Sequence, residues 1–337
     1  MRRKLSLLFL LLPLFIFADS FLSLMGENTP SWKHVQTTED KNNVKFYENI
    51  YTSLDKKALK EKKIPSVLHL IHLGARGLNK ENLKKASSWQ KKHPDWQVIF
   101  WTDRKHKKAF KNVQERYIDE LISSQSEEYF STSNYKEKEM LLAFEILKYQ
   151  GGVFVSLDSL DLAKFSDEFL SYDFFTTLSL PLETMASSSV YISAEMIGSK
   201  THHPIIEKAI KLCKNKWQSI SNAYVENDNS SHAYRYMHRI LYSLEDAFKE
   251  KNNAENTKDI AFPFYKIFPK EKKPFDFTQE MKNWVKLDYS IEDKINKNLD
   301  ATQKNLKLFY ISLIVMTVLM ALIMIFLLFK KRRSPSH

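Results

Sequence analysis

Gly151-Gly152-Val153-Phe154-Val155-Ser156-Leu157-Asp158 is the stretch on which the fold turns. It follows residues 136–149, where Met140, Phe144 and Leu147 recur at helical spacing and form one apolar stripe. Gly151 is placed to end that helix as a left-handed cap. Residues 153–157 are short and apolar, the pattern of a buried strand, and Asp158 stands at its C-terminal end. Open α/β sheets bind ligands outside the carboxyl ends of their strands, so an acid here is placed where a ligand would be.

Upstream of this corner, residues 67–73 read as a short buried strand ending at Gly74. Residues 79–93 have helical spacing through Leu83, Ala86 and Trp89 and stop at Pro94. Residues 96–101 read as a second strand, which completes a βαβ unit with its right-handed crossover. Charged helices are expected over 105–123 and 136–149. Downstream, 172–178 and 190–197 are candidate strands, and 204–217 and 231–250 candidate helices. Phe262-Pro263-Phe264-Tyr265 reads as an aromatic loop or sheet edge. The predicted class is α/β.

The chain has 337 residues, 43% of them hydrophobic and 13% aromatic, enough for a substantial core. Its net charge of +11 comes from lysines dispersed among acids, and no zinc-ligand, RRM or helix-turn-helix pattern accompanies it. Nucleic acid is therefore not an expected partner. The lone cysteine, Cys213, cannot form an internal disulfide and reads as a buried thiol on a helix.

Both ends carry membrane signals. Arg2, Arg3 and Lys4 precede an apolar run over 5–17 and then Ala18, the layout of a signal peptide or N-terminal anchor over 1–18. Residues 308–329 hold no charged side chain and, as a helix, would span a hydrocarbon core of about 30 Å. Lys330-Lys331-Arg332-Arg333 follow, so residues 330–337 are expected to be a cytoplasmic basic tail. The expected organisation places a stalk over 19–60, with one short helix near 41–54. The main domain then covers 61–290, outside the cytoplasm or in a lumen. A juxtamembrane helix over 291–307 and the transmembrane helix over 308–329 complete it.

Three stretches carry a resemblance to glycosyltransferases with a DXD sugar-binding region, among them initiating α-1,6-mannosyltransferases and capsule or lipopolysaccharide sugar transferases. Ile64-Pro65-Ser66-Val67-Leu68-His69 looks like the opening strand of that family. Ser88-Trp89, His93-Pro94-Asp95-Trp96 and Val98-Ile99-Phe100-Trp101-Thr102-Asp103 look like its second strand and approach. Leu141 to Asp158 looks like its helix, Gly-Gly turn and DXD strand. A weaker match runs through Ile197-Gly198-Ser199-Lys200 and His203-Pro204.

The resemblance implies a GT-A-like nucleotide-binding sheet with helices on both faces. It implies transfer of a hexose from a nucleotide sugar to a glycan or lipid acceptor at a membrane. Asp158 matches the second DXD carboxylate and would bind Mn²⁺ or Mg²⁺ and serve catalysis, with Asp161 as a second metal candidate. His69, Trp101, Asp103, Gly151, Gly152 and Ser156 would border the nucleotide and sugar. A divalent cation would offset the charge of the departing diphosphate.

This chain also departs from the pattern. Ser156 replaces the first DXD aspartate. Met140 and Ala143 stand where the family has an Asp and an Arg on the preceding helix. Glu139, beside the lost Asp position, is expected to face about 100° away. A second reading therefore stays open, a degenerate transferase that binds a glycan or protein without catalysis. A third is a structural membrane protein with an α/β domain. A domain outside the cytoplasm would also need its nucleotide sugar delivered across a membrane.

Overall fold

The computed structural model describes residues 20–54, 61–74, 80–104, 113–121, 124–160, 163, 165–182, 188–224, 229–252, 258–270, 298 and 301–323. The signal-peptide segment, Asp161 and the basic tail lie outside the described residues. The chain divides into two units, Met1–Lys282 and Asn283–His337.

The first unit is built on a seven-stranded mixed sheet. Its strands are β1 (Val67–His72), β2 (Gln97–Thr102), β3 (Gln114–Tyr117), β4 (Gly152–Val155), β5 (Phe174–Leu178), β6 (Ile192–Ser199) and β7 (Asp259–Phe262). They lie in the order β3-β2-β1-β4-β6-β5-β7. The half from β3 to β4 is parallel. β6 runs antiparallel to both β4 and β5, and β7 is parallel to β5. The α/β expectation holds.

One correction falls on the segment read as a helix over 105–123. Residues 114–117 instead extend the sheet beside β2 as its edge strand. The segment carries no apolar alternation because an edge strand in this position leaves its side chains only partly covered. Arg116 lies over the Trp101 ring at 5.7 Å, which ties the edge to its neighbour.

Strand alternation sorts the two faces. Leu68, Leu70, Val98, Phe100, Val153 and Val155 pack on one side, with Trp89 of α3 (Lys80–Lys92) and Phe264 of α9 (Phe264–Ile267). The other side is covered by α5 (Tyr135–Gln150) and α8 (Tyr242–Asn252), with α6 (Pro204–Ala223) packed on both and α4 (Ser126–Ser131) on α5. The helix expected over 231–250 is α7 (Asn229–Tyr236) running through a π-helical turn, Met237–Leu241, into α8. Arg239 from that turn makes a buried ion pair with Glu137 of α5 at 3.1 Å, under the face of Trp217. Cys213 is buried on α6 and donates to the Arg239 carbonyl, and burial pushes its thiol up to about 12.

The stalk reading is corrected over the described residues 20–54, where the helix expected near 41–54 is present but docked on the domain. Residues 20–54 form α1 (Phe21–Leu24), a 3₁₀ turn (Pro30–His34) and α2 (Thr38–Ser53), all belonging to the first unit. Asp40 is buried and accepts from the Ser189 amide at 2.6 Å and the Ser188 hydroxyl at 2.9 Å. Asn43 donates to the Val190 carbonyl and Tyr47 to Glu245. Tyr47 packs on Phe248 of α8, and Phe21 on Tyr51. These contacts tie the N-terminal segment to elements more than 140 residues away in sequence.

In the second unit, α10 (Ala301–Ile323) is one helix long and apolar enough to cross a membrane. Its apolar side chains are exposed, as in Leu308, Phe309 and Ile314.

Candidate functional site

Gly151 closes α5 through its amide, which donates to the Leu147 carbonyl at 3.0 Å. Its φ of 63° and that of Gly152 at 97° are both in the region that favours glycine. A Cβ on Gly152 would stand 2.7 Å from the Val67 carbonyl and 2.9 Å from the His69 ring. The pair thus lets β4 leave α5 abruptly and lie flat against β1.

β4 is shorter than the sequence suggested. It ends at Val155, and residues 157–160 form a turn closed by the Ser159 amide donating to the Ser156 carbonyl at 3.1 Å. Asp158 sits in that turn and is exposed, while Ser156 is buried. Asp161, the second metal candidate, lies outside the described residues.

The carboxyl ends of β1 and β2 and the start of α5 meet the same corner. The Gly74 amide, just past β1, donates to Asp103 Oδ2 at 3.0 Å, just past β2. Arg104 grips both oxygens of that carboxylate at 2.9 and 3.1 Å. Burial would raise the Asp103 carboxyl, but Arg104 and the Gly74 amide together hold it below its usual value. A Cβ on Gly74 would stand 3.0 Å from the ring of Tyr135, the first residue of α5. Asn134 caps α5, accepting from the amides of Lys136 and Glu137.

Lys136, one residue into the helix, reaches Ser156 Oγ at 3.4 Å and Glu139 at 3.3 Å. Burial alone would lower its ammonium. The carboxylates of Glu139 and Glu195, with Tyr236 and Asp158 behind them, hold it well above its usual value, so it stays charged. Burial raises the Glu139 carboxyl; Lys136 opposes that, and Asp158 and Glu195 reinforce it. Ser159 Oγ donates to Glu195 Oε2 at 2.5 Å. The corner beyond β4 is therefore a cluster of Lys136, Glu139, Ser156, Asp158, Ser159 and Glu195.

His69 and Trp101 are drawn away from a ligand-contact role. Both are fully buried. The Trp101 indole N–H donates to His69 Nδ1 at 3.2 Å, and His69 Nε2–H donates to the Gly151 carbonyl at 2.9 Å. That chain spends the polar atoms of both rings and stitches β2 to β1 and β1 to the glycine turn. Burial, the largest influence, lowers the His69 ring to about 4, so it is neutral. Neither ring presents a face to a ligand. Gly151 and Gly152 are buried and shape the turn.

Glu139 corrects a second expectation. Expected about 100° off the site, its carboxylate is drawn into the cluster by the ion pair with Lys136, against the repulsion of Asp158. Met140 and Ala143, at the positions of the missing Asp and Arg, are buried in the core. Lys136, Glu139 and Glu195 were not singled out as site residues. Lys136 and Glu139 carried a readable signal, an i, i+3 pair on the first turn of the helix leading to the glycines. Glu195 is supplied by β6 and had none.

Of the two metal candidates, Asp158 lies within the described residues and Asp161 outside them. Among the described residues, no three His, Cys, Asp or Glu side chains converge to hold a metal ion. Where a first carboxylate would stand, Ser156 is approached by the Lys136 ammonium. Glu139 and Glu195 already serve that ammonium.

No family model and no curated protein matches the chain. Solved structures do. PaToxG glycosyltransferase is similar at 15% identity and a TM-score of 0.40, over 63% of this chain and 78% of that one. The UDP-bound glycosyltransferase domain from the YGT toxin is similar at 7% identity and a TM-score of 0.41, over 60% and 80%. The catalytic domain of α-toxin from Clostridium novyi is similar at 10% identity and a TM-score of 0.37, over 70% and 74%. The likeness is one of overall fold at low identity.

Proposed function

We propose that the chain is a membrane-anchored glycosyltransferase that takes a hexose from a nucleotide sugar and transfers it to a glycan or lipid acceptor. The observation that carries this reading is the convergence at one corner. Asp103 holds the Gly74 amide, Gly74 lies against Tyr135 at the start of α5, and the next residue, Lys136, reaches Ser156 two residues before the exposed Asp158. The parallel half of the sheet presents that corner where α/β sheets take ligands. The ordered motifs of the DXD-type family end at the same place.

In this reading Asp103, held by Arg104 and the Gly74 amide, accepts from a donor hydroxyl. Asp158 supplies a solvent-facing carboxylate to the reacting sugar, where it orients a hydroxyl and stabilises oxocarbenium-like charge. His69, Trp101 and the two glycines position the turn that aims it. The α10 helix supplies the anchor.

The test is release of free nucleotide from UDP- and GDP-hexoses by the full chain in detergent. Asp158→Asn removes the charge while leaving an exposed turn intact. A loss of about 10²-fold or more with an unchanged unfolding midpoint is expected. Activity equal to wild type in Asp158→Asn would remove Asp158 from the chemistry.

The second reading, a sugar- or protein-binding module without catalysis, is favoured by the burial of Met140 and Ala143 at the positions of the family's charged pair. It expects nucleotide or glycan binding with no turnover of any donor. Release of nucleotide by the wild-type chain would exclude it.

A further inference from the structure

On the face of the sheet opposite α5, α3 and the chain just past the Asp158 turn enclose a cavity of about 460 Å³. One wall is aromatic and apolar. The His93 ring lies on Trp89 with centroids 4.3 Å apart, and Phe165 meets the two rings edge-on at 6.1 and 6.4 Å. Leu160 and Ala163 continue that wall. The rim is basic. Lys84, Ser88 and Lys92 follow one another at i, i+4 and i+8, so the two lysines leave the helix one turn, about 6 Å, to either side of the Ser88 hydroxyl.

Among the described residues that line the cavity there is no carboxylate, and every polar side chain can donate a hydrogen bond. Neither Lys84 nor Lys92 is ion-paired among the described residues. Asp167, the acid whose field reaches His93, is engaged by Lys62 at 2.9 Å and by the Trp96 indole N–H at 3.4 Å. Trp89 supplies a second, independent sign of a ligand. It is only 9% exposed, yet its indole N–H has no hydrogen-bond partner among the described residues. That N–H is not sealed in the core, so the open space it meets is the cavity that Trp89 lines. A buried indole usually finds an acceptor, and here the place for one is inside the cavity.

The two parts of the cavity suit two parts of one small molecule. A phosphate monoester carries about −2 charge and three acceptor oxygens, which match two lysines and a hydroxyl between them. A carboxylate brings less of both. A sugar ring offers an apolar CH face to Phe165 and hydroxyl oxygens to the Trp89 N–H. The volume is that of a small-molecule site.

We propose that this cavity binds a phosphorylated sugar, with its phosphate on Lys84, Ser88 and Lys92 and a ring hydroxyl accepting from the Trp89 indole, at a place separate from the corner past β4. The proposal stands whether or not that corner transfers sugar.

The experiment is equilibrium titration of the full chain in detergent micelles with glucose 6-phosphate, mannose 6-phosphate and glucose 1-phosphate, and with glucose and inorganic phosphate as controls. At least one sugar phosphate is expected to bind about tenfold or more tighter than either control. The double variant Lys84→Gln, Lys92→Gln should weaken it about tenfold or more. The double variant Lys41→Gln, Lys45→Gln, which removes two exposed lysines of α2, should leave it unchanged. Trp89→Phe keeps an aromatic ring and removes the N–H, and should weaken the sugar phosphate about threefold or more. Thermal midpoints report whether the variants fold; should Trp89→Phe not fold, the two lysine pairs decide. An affinity no better than that of inorganic phosphate or glucose overturns the proposal. So does one unchanged by loss of Lys84 and Lys92, or one weakened equally by loss of Lys41 and Lys45. Displacement of the sugar phosphate by UDP or GDP would make the cavity part of a nucleotide site and overturns it as well.

Discussion

At the scale of single residues, the outcome for His69 shows how position decides role. The resemblance implies a nucleotide contact for this histidine within the apolar first strand. Alternation along β1 turns it instead toward the face covered by α5, where Trp101 and the Gly151 carbonyl use both of its nitrogens. The ring is neutral when folded and is lowered to about 4 chiefly by burial. In the unfolded chain it titrates near 6.5, so the unfolded state binds more protons between those values. Stability is then complete above about pH 6.5 and falls as the pH drops toward 4, by about 3 kcal/mol at most. Urea unfolding followed across that range should show this decline, and His69→Gln should flatten it. The place of Asp158, just past β4, was legible because it depends only on where a strand ends. Glu195 was not, because nothing local to residues 192–199 marks which strand they will pair with.

At the scale of elements, the long regular pieces were readable from periodicity and caps. α3, α5 and α6, and strands β1, β2, β5 and β6, all lie close to where apolar spacing placed them. The edge strand β3 was missed because its four residues bear no pattern of their own and gain their strand conformation from β2. The N-terminal segment was read in part, since the helix expected near 41–54 is α2, but its docking on the domain was missed for a different reason. Its signal was present in Thr37-x-x-Asp40, a reciprocal cap of α2 in the structure, and in Val44, Tyr47 and Tyr51 on one helical face. Its polar surroundings hid it. Asp40 now has two tasks, capping α2 and holding the Ser188–Ser189 backbone and hydroxyls. Burial works to raise its carboxyl, but the Thr37 and Ser189 amides and the Thr37 and Ser188 hydroxyls hold it well below its usual value. Asp40→Ala is expected to cost about 3 kcal/mol, read as a lower urea midpoint with little change in slope. A loss below about 0.5 kcal/mol would return this segment to the status of a loose stalk.

At the scale of the whole molecule, composition and the apolar C-terminal run set the expectations that matter most for handling the protein. Over residues 308–323 the α10 helix exposes large apolar side chains and no charged one. Exposed patches of that size mark a surface that belongs against lipid or another chain. Alkaline carbonate extraction of expressing cells should leave the full chain in the membrane pellet. A chain ending before residue 301 should move to the supernatant if any N-terminal segment is removed on export. Recovery of the full chain in the supernatant would remove the anchor from the proposed function.

The clasp between residues 20–54 and the elements carrying Ser188, Val190 and Glu245 also bears on how the protein is made. The first part of the domain to leave the ribosome has its partners in nearly the last part. Until α8 emerges, α2 has no surface on which to bury Tyr47, and Asp40 has nothing to hold. Contacts of such sequence separation close slowly, and the waiting segment stays exposed meanwhile. Biogenesis of this protein therefore runs from both ends at once. The central sheet can assemble as it is synthesised, but the domain locks only when its beginning returns to meet its end.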